Sequence, residues 1–179
     1  MNADLMALIS KRIHWDDTWP STPSHHVNEF REWGDLPFFV STFDHPLREK
    51  ELVATEEEPT FIPFLYYGEA RKKGFLQDYR LGEARFEAFY NELSKGGAWL
   101  GLSSRKPIFL PSSSRRLARL IKDSLREHRR MDVTFQALPV RVLGGHDRTD
   151  LFLSATAAIR DELQSMAIRH GLFVLPYRA

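Results

Sequence analysis

From Lys106 to the C-terminus the apolar residues alternate between strand and helix spacing in a regular order, which restricts the chain to a small set of topologies. KPIFLP (106–111) reads as a strand and Ser114 to about Arg130 as a helix. DVTFQAL (132–138) and PVRVLGG (139–145) read as strands, Ala155 to Arg169 as a helix, and LFVLPY (172–177) as a closing strand. TDLFL (149–153) continues the third strand or follows a bulge at GGHDR. The order is βαββαβ, that of a ferredoxin-like, split βαβ unit. A shift of 42 positions sets Ser112 on Ser154, Ser114 on Thr156, Leu117 on Ile159, Ile121 on Leu163 and His128 on His170. Such internal symmetry is expected of two related strand–helix units.

The residues before 105 supply elements that extend or cover this sheet. Helices are expected at 3–13, where Leu5, Leu8, Ile9 and Ile13 share a face, and at 24–33. The segments 37–43 (PFFVSTF) and 60–68 (TFIPFLYYG) are rich in aromatic and β-branched residues and read as strands, with a further strand at 98–103. Phe86, Phe89, Tyr90 and Leu93 fall at helical spacing, which predicts a helix over about 83–95 ended by Gly96 and Gly97. The expectation is one α+β domain over 1–179, divisible into an N-terminal ββαβ part with leading helices (1–104) and the ferredoxin-like part (105–179). The 42% hydrophobic content is enough to build a core.

Composition removes several function classes. There is no cysteine, so thiolate catalysis, disulfides and thiolate metal sites are excluded. No stretch of about 18 apolar residues occurs, and a soluble cytoplasmic protein with no membrane contact is expected. The phosphate loop GxxxxGK[ST], the GxGxxG turn and the GxSxG elbow are missing, as is the aromatic RNA-reading signature of RRM domains. No cofactor is expected. His14, Asp16, Asp17, His25 and His26 are the residues from which a metal site would be drawn, but they lack ligand spacing, and no metal is expected.

The 25 basic and 24 acidic side chains nearly cancel, yet they are segregated. On the helix after Ser114, Leu117, Leu120, Ile121 and Leu125 form one face, and Arg115, Arg119, Lys122, Arg126, Arg129 and Arg130 form the other. Ordinary exposed helices mix signs, because like charges at i, i+4 repel. The acidic run Glu56, Glu57, Glu58 lies in the loop 49–58, so the stripe faces that loop, an acidic protein partner or a nucleic-acid backbone. Ser112, Ser113 and Ser114 before the helix act as caps or, with Arg115 and Arg116, as an anion site.

The segment IFLPSSSRRLARLIKDSL (108–125) is similar to the opening strand–serine–helix of TIR-like nucleotide-binding domains over those residues. The hairpin that follows departs from their alternating order, so no TIR residue role or activity is carried over. His146, Asp147 and Asp150 gather a histidine and two carboxylates beside a Gly-Gly turn, the residue types of a hydrolase or nuclease centre. His128 and His170 sit near helix C-termini and read as structural.

The leading expectation is a small non-catalytic binding protein acting through protein–protein contact, such as a bacterial regulator or a toxin-neutralising, immunity-type factor. The alternative is a nucleic-acid or nucleotide-phosphate binding domain using the helix 114–130. The third reading is a hydrolase or nuclease at the 146–150 loop.

Overall fold

A computed structural model describes residues 37–46, 66–100, 107–145, 148–154 and 156–176. The expected helices at 3–13 and 24–33, the histidines and aspartates of 14–26, and the acidic loop 49–58 lie outside the described residues.

The described elements are β1 (Phe38–Ser41), α1 (Tyr67–Lys73), α2 (Leu76–Leu93), β2 (Ala98–Leu100), β3 (Ile108–Leu110), α3 (Arg115–Leu125), β4 (Asp132–Phe135), β5 (Val140–Leu143), β6 (Thr149–Ser154), α4 (Ala157–Arg169) and β7 (Phe173–Pro176). Their strands form one seven-stranded sheet in the order β3-β2-β4-β5-β6-β1-β7, with every neighbouring pair antiparallel. The class is α+β.

Two of the expected strands differ. Tyr67 and Gly68, expected to end a strand, open α1, which closes where Gly74 takes a left-handed φ of 86°. TDLFL is a separate strand: the chain reverses after β5, with Arg148 at φ 57°, and β6 pairs with β5 from Val140↔Ser154 to Leu143↔Leu151. The C-terminal order is therefore βαβββαβ. The sheet does not stop at those strands, because β2 and β1 from earlier in the chain are inserted within it.

The insertions fall at equivalent places. β3 and β4, joined by α3, flank β2 and are antiparallel to it, so they are parallel to each other. β6 and β7, joined by α4, flank β1 in the same way. The 42-residue shift maps the first crossover onto the second, and the helix caps match: Ser114 accepts a bond from the Leu117 N–H and Thr156 from the Ile159 N–H, each at 3.4 Å.

One face of the sheet packs on the helices. Phe86, Phe89, Tyr90 and Leu93 of α2 meet Phe38, Phe135 and Phe152, with ring centroids 5.9 Å apart for Tyr90–Phe135 and 5.8 Å for Phe89–Phe152. Leu117, Leu120, Ile121 and Leu125 of α3 and Leu163, Met166 and Ala167 of α4 complete this core. Aromatic rings dominate because each buries a large apolar area at low conformational cost. On the other face Leu143, Leu151 and Leu153 are also buried, beside Arg141, whose guanidinium holds the Asp132 carboxylate at 2.7 and 2.6 Å. No helix among the described residues is long and apolar enough to cross a membrane.

If the two crossovers are equivalent, their caps carry similar weight. Ser114→Ala and Thr156→Ala are each expected to lower stability by about 1 kcal/mol in urea denaturation; a full cost at one position and none at the other would contradict the equivalence.

Candidate functional site

Helix α3 follows β3 after a three-serine turn. Ser112 and Ser113 are exposed in that turn, and Ser114 is the cap, its own N–H donating to the Pro111 carbonyl at 2.9 Å. The expected apolar face is buried and the basic face points outward. The helix stops at Leu125, short of the expected Arg130, because Glu127 takes φ 60° and the His128 and Arg129 N–H groups both return to the Asp123 carbonyl. Arg129 and Arg130 are thus exposed beyond the helix end and do not extend its stripe.

The stripe is divided further by α2. Arg126 donates to both oxygens of Glu83, Nε at 2.5 Å and Nη2 at 2.8 Å, and Glu83 is 6% exposed. The Arg126 guanidinium also lies 4.6 Å from the centre of the Tyr67 ring, which meets Tyr79 and His128 edge-on. One turn along, Lys122 Nζ is 3.4 Å from Glu87 Oε1 at a more exposed position. Glu83 and Glu87 on one helix face Arg126 and Lys122 on the other in reverse order, so α2 and α3 run antiparallel at this contact. The next α2 position in that ladder, Asn91, carries no carboxylate, and Lys95 lies beyond the helix end. Arg115, Arg116, Arg119 and Arg129 form no ion pair among the described residues.

This division could be read only in part from the sequence. The stripe itself was visible, but Glu83 and Glu87 sit in a helix whose first turns, from Leu76, lacked a clear apolar period. Tyr79 anchors those turns, its hydroxyl donating to the Leu125 carbonyl at the end of α3.

Of the 146–150 trio, His146 and Asp147 lie outside the described residues. Asp150 is on β6 opposite Val40, on the helix side of the sheet, and is 4% exposed. The Tyr90 hydroxyl donates to its Oδ2 at 2.5 Å and the Gly145 N–H to its Oδ1 at 2.8 Å. Burial pushes this carboxyl up to about 6, against the opposing effect of the two hydrogen bonds, and pushes the Tyr90 phenol well above its usual value. The group tethers the Gly-Gly turn to α2 from inside the core. His170, at the C-cap of α4, bonds Glu92 at 2.7 Å beside Arg169, an arrangement that ties α4 to α2 and lowers the Glu92 pKa. No cluster of three potential metal-ligating His, Cys, Asp or Glu residues occurs among the described residues.

Comparison of the chain with protein-family models, curated proteins and solved structures gave no match.

The buried Asp150 makes a pH prediction. Its carboxyl titrates near 3.8 when unfolded and about 6 when folded, so the folded state holds the proton more tightly. Its contribution is therefore full below the unfolded value and falls as pH rises through the folded one. Relative to Asp150→Asn, the wild type is expected to lose stability between roughly pH 4 and pH 6 in urea denaturation; parallel stability curves for the two proteins would contradict this.

Proposed function

We propose that the protein acts by binding, and that the first turns of α3 are its contact surface for an acidic protein partner. The supporting observation is the position of Arg115, Arg116 and Arg119 at the positive end of their own helix dipole, with no acidic residue in the first turn. Arg115 and Arg116 in the first turn each cost about 0.3–1 kcal/mol, and the Arg115–Arg119 pair at i, i+4 adds repulsion. The fold does not require them: the equivalent positions 42 residues on, in α4, are Ala157, Ala158 and Asp161. Side chains retained against local stability are commonly retained for function.

A protein partner is favoured over nucleic acid by the neighbouring surface. β3 leads directly into α3 and leaves Ile108 and Phe109 exposed at the edge of the sheet. Arginine beside aromatic and aliphatic groups is the composition of a protein-interface anchor, whereas a phosphate-binding surface is more uniformly basic than this chain of net charge +1. A regulator or a toxin-neutralising, immunity-type factor would act in this way. At the level of fold, the two equivalent crossovers and their matched caps support reading the C-terminal half as a pair of split βαβ units.

The test is capture from the native organism's extract by the wild type and by Arg115→Glu/Arg116→Glu/Arg119→Glu. The wild type is expected to recover one protein in stoichiometric amount, resistant to nuclease and released by salt. The charge-reversed variant is expected to lose it while melting at or above the wild-type temperature. Nuclease-sensitive recovery would support the nucleic-acid alternative, and equal recovery by both proteins would exclude this surface.

A further inference from the structure

Helix α2 is held to α3 through Glu83 and Glu87 and to α4 through Glu92, and the side it turns away from the sheet is open to solvent. Gln77, Asp78, Arg80, Leu81, Ala84, Arg85 and Ala88 are all exposed on that side. Gln77, Leu81, Ala84 and Ala88 follow one another at steps of four, three and four residues, the spacing of a seam along which one helix packs on another. Leu81 is the large apolar side chain of the seam and is 60% exposed, while the two alanines let a second backbone come close.

The charges beside the seam form two complementary sets. Asp78 and Arg85 lie on one flank, seven residues apart, and Arg80 and Glu87 lie on the other with the same separation. Seven residues span about 10 Å of helix, too far for either set to pair within one chain. Neither Asp78 nor Arg85 has an opposite charge three or four positions away, where helical charges neutralise one another. Arg85 reaches the Gly171 carbonyl at 3.4 Å, but Asp78, Arg80 and Arg85 form no ion pair among the described residues. Glu87 meets Lys122 through Oε1, which leaves Oε2 for another donor.

We propose that this face of α2 is a homodimer interface, in which the α2 helices of two copies pack antiparallel about a two-fold axis crossing them between Gly82 and Glu83. That one axis sets Leu81 against Ala84 and Gln77 against Ala88 along the seam. It also sets Asp78 against Arg85 on one flank and Arg80 against Glu87 on the other, and each contact occurs twice because the interface is the same patch on both copies. Charges that find no partner within one chain are thus matched by the second copy. A parallel second copy would instead bring Arg80 against Arg85, so the charge pattern selects the antiparallel arrangement.

The test is sedimentation velocity on the full chain at low salt, from about 5 µM to about 500 µM. The wild type is expected to pass from monomer to dimer with a Kd of about 100 µM or tighter, as for a small and largely polar interface. Leu81→Glu, Asp78→Arg and Arg85→Glu are each expected to weaken dimerisation about tenfold or more while keeping the wild-type circular dichroism spectrum. An equimolar mixture of Asp78→Arg and Arg85→Glu is expected to form a heterodimer, because every reversed charge then faces its opposite. A wild type that stays monomeric at the highest concentration, a dimer that survives Leu81→Glu, or no heterodimer from the two folded charge-reversal variants would overturn the proposal. Leu81 points into solvent, so its variant decides the matter even if a charge reversal fails to fold.

Discussion

The pairing of Glu83 with Arg126 is the interaction on which the helical layer depends. A carboxylate that is 6% exposed is costly to bury without hydrogen-bond partners, and Arg126 supplies a two-pronged one while stacking on Tyr67. Since Glu83 lies between Tyr79 and Phe86 on α2, the pair fixes the rotation of that helix. Phe86, Phe89 and Tyr90 then point at the sheet, and Gly82 is turned towards Arg148. The same helix–helix seam pairs Arg126 with Glu83 and the exposed Lys122 with Glu87, leaving the arginines of the first turns of α3 without an ion pair among the described residues.

The sheet fixes where the crossover helices begin. Each strand–helix–strand crossover encloses a strand from earlier in the chain, so α3 and α4 both start from one end of the sheet, while Thr42 and Arg148 lie at the other. Repetition supplied two similar helices. They differ in their first turns, which carry arginines on α3 and alanines and an aspartate on α4.

The features legible in the sequence were those set by local physics. The cap Ser114, the buried face of α3 and the spacing of Phe86, Phe89 and Tyr90 follow from helix periodicity and orphan N–H groups, and they stand as read. Long-range features were not legible. The helix end at Leu125 depends on Glu127 entering the left-handed region, which no nearby glycine announced. The separation of β6 from β5 depends on Arg148 doing the same, and Asp150 reads as a polar loop residue until Tyr90 is seen to reach it from α2.

The most direct measurement is a double-mutant cycle on Glu83 and Arg126, using Glu83→Gln, Arg126→Gln and the double variant in urea denaturation. The account predicts a coupling energy of about 2 kcal/mol or more, with each single variant clearly destabilised. A coupling below about 0.5 kcal/mol would show that the pair behaves as an ordinary surface ion pair, and the division of the basic face described above would lose its physical basis.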